Sequence, residues 1–251
     1  MANTHHLTGT GPHKVIALHG WFGDRHAFAP MEHLLTGSDF TYAFMDYRGY
    51  GGMKGVGGSF TMDEIAADTL ALADTLGWRE FSLIGHSMGG MAIQRVLTRA
   101  PSRVKKLVAV TPVPASGSPF DETGWTLFSG AAENPGNRYG IIDFTTGNRL
   151  STTWLDQMVA NSLACSTKAA FAAYLIAWAK TDFSAEVKGL PQPVKVIIGA
   201  HDQAINAAAM KATYLAWYPN CSMDVMENAG HYPMHETPVA LATAIERFLR
   251  G

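Results

Sequence analysis

Short apolar runs alternate along the chain with longer stretches in which hydrophobic residues recur at helical spacing. The apolar runs predict strands at residues 15–18, 40–45, 81–84, 106–110, 194–198 and 222–226. The stretches of helical spacing predict helices at residues 26–35, 61–76, 88–99, 207–218 and 238–249. Strands that alternate with helices are typical of βαβ units. The chain therefore predicts an α/β fold, with a mostly parallel sheet and helices on both faces.

Several predicted helices carry signals at their ends. Thr61 and Glu64 have the spacing of a capping box, and Gly77 stands where a helix is expected to stop. Thr237 followed by Pro238 predicts an N-cap with proline at the first helical position. These signals support the helical boundaries at both places.

The alternation stops between about residues 112 and 187, where no convincing strand occurs. Residues 151–179 predict a helix instead. We therefore expect residues 114–185 to form a helical cap inserted after the fourth parallel strand. Residues 1–113 and 186–251 would then form the core. Only about 14 residues precede the first parallel strand, which leaves room for at most one antiparallel strand there.

Composition narrows the class of protein. The 251 residues are 47% hydrophobic, enough for one sizeable core, and carry a net charge of −2 without a basic run. That balance argues against a nucleic-acid partner. Two cysteines, Cys165 and Cys221, give neither a disulfide framework nor a zinc pattern. We expect no signal peptide and no membrane span, and a cytoplasmic protein is the interpretation that fits.

Candidate chemistry begins at Ser87, which lies between a predicted strand and a predicted helix. Gly85 and Gly89 flank it at −2 and +2, where larger side chains would collide in a sharp turn. A serine at the tip of such a turn is exposed and faces a helix N-terminus that favours negative charge. This position suits a nucleophile, provided that the rest of the chain supplies a base.

Two further groups follow predicted strands. Asp202 comes just after the strand at 194–198, and His231 follows the strand at 222–226. Open parallel sheets place their sites at the carboxyl ends of strands, so these side chains can converge with Ser87. The expected roles are base for His231 and orienting acid for Asp202. Asp121 is the alternative acid, and His235 is a competing histidine for which we expect a packing or capping role.

Acyl chemistry at serine also needs donors for the developing oxyanion. The backbone N–H of Met88, directly after the serine, is one candidate. The second is expected from the loop after the first parallel strand, where Trp21 is preferred to Phe22. Side chains that could line a substrate pocket are aromatic residues beside these groups and in the predicted cap. They are Phe22, Tyr232, Trp125, Trp154 and Trp178.

In its motifs, the chain resembles the α/β-hydrolase family, in the branch of small esterase-like serine hydrolases. The motifs stand at residues 19–23, 46–51, 85–89, 199–202 and 230–231. The resemblance implies the α/β-hydrolase fold, with its N-terminal antiparallel strands reduced here. A serine at residue 87 disfavours the haloalkane dehalogenase and epoxide hydrolase relatives, which use an aspartate there.

The expected function is hydrolysis of small, fairly apolar carboxylic esters or lactones through an acyl-serine, with no metal or organic cofactor. Alternatives on the same site are acyl transfer to an alcohol or peroxide, carbon–carbon bond hydrolysis and cofactor-free oxygenation. A non-enzymatic ligand receptor that retains the triad is a further alternative. We expect a small-molecule substrate, no nucleic-acid or membrane partner, and a monomer or homodimer.

Overall fold

Seven strands form one sheet in the order β1-β3-β2-β4-β5-β6-β7. A computed structural model describes residues 3–251 of the chain. The strands are β1 (His5–Thr8), β2 (His13–Leu18), β3 (Phe40–Met45), β4 (Phe81–His86), β5 (Val104–Val110), β6 (Val194–Gly199) and β7 (Cys221–Met226). All six strands that the sequence predicts are present.

Strands β2 to β7 pair in parallel, and β1 pairs antiparallel with β3. Every residue of β3 and β4 is buried, as expected for strands covered on both faces of a parallel sheet. The predicted fold class is thereby confirmed, including the single N-terminal antiparallel strand.

Twelve α-helices in the described residues surround this sheet. They are α1 (Ala29–Glu32), α2 (Met62–Thr75), α3 (Met88–Arg99), α4 (Glu122–Gly130), α5 (Pro135–Thr145), α6 (Thr152–Cys165), α7 (Lys168–Lys180), α8 (Ser184–Val187), α9 (Ala207–Ala212), α10 (Tyr214–Trp217), α11 (Pro233–Glu236) and α12 (Pro238–Arg250). Helices α4 to α8 lie in the chain between β5 and β6, where the alternation of strands and helices stops. No helix within residues 3–251 is long and apolar enough to cross a membrane.

The helix predicted at residues 26–35 is shortened to α1. Backbone N–H groups at residues 27, 29 and 31 donate to carbonyls three residues earlier, which forms consecutive turns instead of an α-helical ladder. Pro30 has no N–H to continue such a ladder. Residues 24–31, which come after Trp21 in the chain, therefore form a series of turns.

The helix predicted at residues 151–179 is two helices, α6 and α7. Ser166 is extended between them and pairs with Tyr50 in an isolated bridge. Thr167 then caps α7, since its hydroxyl accepts the backbone N–H of Ala170. Residues of both helices line one cavity, among them Asn161 of α6 and Trp178 of α7.

Two smaller predictions are also corrected. The helix predicted at residues 207–218 is divided at Thr213, whose φ and ψ of −117° and −92° are not helical. Thr237 does not cap α12 with its side chain. Its hydroxyl instead lies 3.4 Å from the carbonyl oxygen of Pro233 and 3.4 Å from Met226 Sδ. Tertiary contacts have overridden the local signal.

Candidate active site

Ser87 occupies a strained backbone conformation between β4 and α3, with φ 55° and ψ −116°. Such a conformation in a residue other than glycine costs about 1–3 kcal/mol. A Cβ on Gly85 would lie 2.2 Å from the Gly89 carbonyl oxygen, and one on Gly89 would lie 2.3 Å from that of Leu18. Both glycines are therefore required by the close approach of backbone at this turn. The turn is the predicted one, and it leaves Ser87 partly exposed.

Asp202 and His231 form a buried hydrogen-bonded pair. His231 Nδ1 lies 2.6 Å from Asp202 Oδ2, and the Asp202 side chain is fully buried. The other carboxylate oxygen of Asp202 accepts the backbone N–H groups of Ala204 and Ile205, each at 2.9 Å. The carboxylate is thus fixed by its own loop and can hold the imidazole in one orientation.

The backbone of His231 is also tied to its surroundings. Its carbonyl oxygen lies 2.8 Å from His86 Nε2 and 3.0 Å from Thr111 Oγ1, while its N–H donates to the Thr145 carbonyl. Burial, followed by the neighbouring His231, lowers the pKa of His86 well below its usual value. A neutral His86 therefore donates its Nε2–H to this carbonyl.

Ser87 and His231 line the same cavity. The alternative acid, Asp121, is elsewhere: it is exposed and caps α4 by accepting the N–H of Gly124 at 2.7 Å. The competing His235 lies in α11, with its ring against Trp154. Of the two candidate acids, Asp202 and Asp121, it is Asp202 that is hydrogen-bonded to His231.

The loop after β2 lies directly against the serine turn. A Cβ on Gly20 would come within 3.2 Å of Ser87 Cβ and 2.6 Å of His86 Nδ1. His19 Nδ1 lies 2.8 Å from the Gly20 carbonyl oxygen, to which it donates. A trans peptide directs its N–H opposite to its C=O, so the Trp21 N–H points away from the His19 ring. Among residues 3–251, neither this N–H nor that of Met88 donates a hydrogen bond to another backbone or side-chain group.

Trp21 is held by three contacts with Tyr50 and Phe171, none of which the sequence predicted. The Tyr50 hydroxyl donates to the Trp21 carbonyl at 2.9 Å, and the indole N–H of Trp21 donates to the Phe171 carbonyl at 2.8 Å. The Phe171 ring stacks on the indole at 4.0 Å between centroids. Helix α7 thereby fixes the position of the loop.

A buried arginine completes this stack. The Arg138 guanidinium lies 3.6 Å from the centroid of the Phe171 ring, on a side chain that is almost fully buried. It donates to the Ala131 carbonyl and to the Ser162 hydroxyl. Burial lowers the pKa of Arg138. The Arg138 guanidinium, the Phe171 ring and the Trp21 indole thus form one stack. It runs from between helices α5, α6 and α7 out to the loop beside Ser87.

The cavity has a volume of about 1090 Å³ and a predominantly apolar wall. Predicted pocket residues that line it are Phe22, Tyr232 and Trp178, and Trp21, predicted as an oxyanion donor, lines it as well. Lining residues that the sequence reasoning missed include Asp24, Phe120, Phe128, Asn161 and Met210. Their places depend on tertiary packing of helices, for which the sequence carried no local signal.

Trp125 and Trp154, expected in the pocket, lie outside the residues that line the cavity. Trp125 packs against Phe120 and under the Lys180 amine, 4.0 Å from the ring centroid. Trp154 packs edge-on against Tyr232, behind the cavity wall. Within residues 3–251, no three His, Cys, Asp or Glu side chains come together in a way that could hold a metal ion.

Comparisons with known proteins agree with this architecture. The family model described as "Alpha/beta hydrolase family" matches residues 15–244. A non-heme chloroperoxidase from Streptomyces lividans is 29% identical over 227 residues, which cover 82% of this chain and 80% of that protein.

Solved structures show the same fold. An esterase from Exiguobacterium antarcticum superposes with a TM-score of 0.88 at 18% identity, covering 98% of this chain and 95% of that one. A bromoperoxidase from Bacillus anthracis gives a TM-score of 0.85 at 19% identity, with the same coverage. Since the family model spans most of the sequence, the chain belongs to the alpha/beta hydrolase family.

Proposed function

We propose that this hydrolase cleaves small, fairly apolar carboxylic esters or lactones through an acyl-serine intermediate. The observation that carries the proposal is the buried Asp202–His231 pair, whose histidine lines one cavity with the strained Ser87. An imidazole beside a serine can take its proton, and a fixed carboxylate stabilises the imidazolium that forms.

Each residue has a defined part in the proposed reaction. Because Nδ1 of His231 is engaged by Asp202, Nε2 is the nitrogen left to accept the Ser87 proton. The serine oxygen attacks the ester carbonyl, and the N–H groups of Trp21 and Met88 bind the oxyanion. The imidazolium then returns its proton to the departing alkoxide, which leaves as the alcohol.

Water completes the cycle. His231 takes a proton from a water molecule, whose oxygen attacks the acyl-serine carbonyl. As the second oxyanion collapses, the bond to Ser87 Oγ breaks, the imidazolium gives its proton to that oxygen, and the acid leaves. Loss of one oxyanion donor typically costs about 2.7–4 kcal/mol of barrier. The apolar wall of the cavity supports ester groups without charge.

Acyl transfer to hydrogen peroxide is a second candidate on the same site. It is favoured by the similarity to proteins named non-heme chloroperoxidase and bromoperoxidase. In that case peroxide replaces water at the acyl-serine, and a peracid replaces the acid. The first half of the reaction, and the residues in it, would be unchanged.

A product analysis tests both proposals. Aryl esters of rising acyl length and a series of lactones are incubated with the protein in water, with an added alcohol, and with hydrogen peroxide. Hydrolysis should release acid, and Ser87→Ala should abolish turnover. Ser116→Ala is the matched control, because Ser116 also lines the cavity but is not part of the strained turn at residues 85–89. Turnover that survives Ser87→Ala would contradict the proposed mechanism.

A further inference from the structure

The wall of the cavity has an uneven distribution of charge. Asp24 is the one carboxylate residue in the wall, and no lysine or arginine lines the cavity within residues 3–251. Asp24 is half-buried, so its charge acts on a ligand in the cavity more strongly than it would in bulk water. The sign of this charge therefore bears on which substrates can enter.

Asp24 has no basic partner among the described residues. One oxygen of its carboxylate accepts the backbone N–H of His26 at 2.8 Å. The adjacent Arg25 is turned to a different carboxylate, that of the fully buried Asp46. The side chain of Asp24 is thus held in place by its own turn, while its charge is left for other contacts.

The charge of Asp24 acts on a neighbouring part of the wall. Burial, and then the Asp24 carboxylate, raise the pKa of the Cys165 thiol to about 12. Cys165 lines the cavity on α6, and its sulfur lies 3.9 Å from the Phe22 carbonyl oxygen. Asn161, one turn earlier on α6, lines the cavity as well. We define Phe22, Asp24, Asn161 and Cys165 as the polar end of the cavity.

Cations near the cavity have other partners. The Lys54 amine donates to the Ala164 carbonyl at 2.7 Å, and Arg149 pairs with the buried Glu236. Arg138 lies behind the Phe171 ring. His235 also lines the cavity. Because burial lowers its pKa, it adds no positive charge there at neutral pH. None of these three basic side chains lines the cavity, but the charges of Lys54 and Arg138 do act on the Cys165 thiol and lower its pKa, against burial and Asp24, which raise it.

We propose that Asp24 makes this site select substrates by charge, so that neutral esters and esters with a cationic group are accepted and esters with a carboxylate group are rejected. A cation at the polar end would meet both the Asp24 carboxylate and the aromatic face of Phe22. A carboxylate there would lose its hydration and face a like charge without compensation. The inference rests on the proposed function for its kinetic readout.

Three acetate esters with the same spacer test the inference: one ends in a trimethylammonium group, one in the isosteric neutral tert-butyl group and one in a carboxylate. At low ionic strength, kcat/KM should be at least about tenfold higher for the cationic than for the anionic ester, since the Asp24 carboxylate attracts one charge and repels the other, and little salt is present to screen either interaction. In Asp24→Asn, which keeps the acceptor for the His26 N–H, that ratio should fall to within about threefold.

Asp156→Asn is the matched control, because Asp156 is exposed on α6 and its substitution changes the net charge equally. This control should keep the tenfold ratio. An equal loss of the ratio in both variants, or a ratio near one in the unmodified protein, would overturn the inference.

Binding separates this inference from the proposed function. Ketone analogues of the three esters, which cannot be cleaved, are titrated calorimetrically into Ser87→Ala. The cationic analogue should bind at least about tenfold more tightly than the anionic one, and Asp24→Asn added to this variant should remove the difference. The binding order without any ester turnover would contradict the hydrolase proposal alone. Ester turnover without a binding order would contradict the role of Asp24 alone.

Discussion

His86 Nε2 lies 2.8 Å from the carbonyl oxygen of His231, so the residue before the proposed nucleophile is hydrogen-bonded to the residue proposed as its base. The bond joins the end of β4 to the loop after β7, 145 positions apart in the chain. Thr111, after β5, donates to the same oxygen. Three strand ends are thereby fixed around one buried carbonyl group, and the relative position of Ser87 and His231 depends on it.

Removal of the His86 side chain should affect stability and activity together. His86→Ala leaves the His231 carbonyl with one donor fewer and opens a void, so the free energy of unfolding should fall by about 1–3 kcal/mol or more. The kcat for an ester should also fall, because the base loses a support. Urea denaturation and steady-state kinetics provide the measurements. His33→Ala, on the exposed surface, is the control and should change neither.

The same burial predicts how stability depends on pH. In the folded state the pKa of His86 lies well below 6.5, whereas the unfolded chain binds a proton as pH falls through 6.5. Buried His19 is shifted in the same direction. The free energy of unfolding should therefore decrease between about pH 7 and pH 5, because the unfolded state binds more protons.

Denaturation curves at pH 7.5 and pH 5 test the direction of this change. The difference between the two pH values should be smaller in His86→Asn, which has no group that titrates there. Greater stability at pH 5 than at pH 7.5 would refute the assignment of His86 as a buried neutral histidine.

Asp202→Asn should separate chemistry from folding. The amide oxygen can still accept the N–H groups of Ala204 and Ile205, but the negative charge that we propose stabilises the His231 imidazolium is lost. In a serine protease triad, the corresponding change lowers kcat by about 10⁴-fold, and we expect a loss of that order here. Asp121→Asn is the control for the alternative acid. Similar losses in both variants would argue against Asp202.

Tyr50→Phe tests the support of the oxyanion loop. The variant removes the hydroxyl that donates to the Trp21 carbonyl, and should cost about 1 kcal/mol of stability. The kcat should fall by about tenfold with little change in KM, less than the roughly 100-fold that loss of an oxyanion donor costs. Tyr42→Phe is the control, because the Tyr42 hydroxyl donates to Glu246, which does not line the cavity. This variant should lose stability without loss of kcat. A raised KM at unchanged kcat in Tyr50→Phe would contradict this role.

The sequence predicted the parts of this protein that depend on local pattern. The parallel strands follow from short apolar runs. The sharp turn at Ser87 follows from Gly85 and Gly89, because a Cβ at either position would collide with backbone. The pairing of Asp202 with His231 could be predicted because both residues follow strands of one parallel sheet. The carboxyl ends of parallel strands lie at the same edge of the sheet, so the Asp202–His231 contact could be predicted although the two residues are far apart in the sequence.

Other features depend on how helices pack, which the chain does not reveal locally. Arg138 stands in a segment without charge patterning, and its stacking on Phe171 exists only after α5 and α7 meet. Trp154 is a large aromatic residue of the kind expected in a substrate pocket, yet its packing against Tyr232 places it behind the cavity wall. Pro30 cannot stand in the interior of the helix predicted at residues 26–35 because it has no N–H, and hydrophobic periodicity does not register this; it lies instead in the first turn of α1.

The central claim is that Ser87 is activated by His231 as the nucleophile of this hydrolase. The most direct test treats the folded protein with a fluorophosphonate probe and maps the modified peptide by mass spectrometry. We predict a single stable adduct on Ser87, formed rapidly in the unmodified protein and absent in His231→Ala. A folded, catalytically active sample that remains unlabelled at Ser87 would contradict the account.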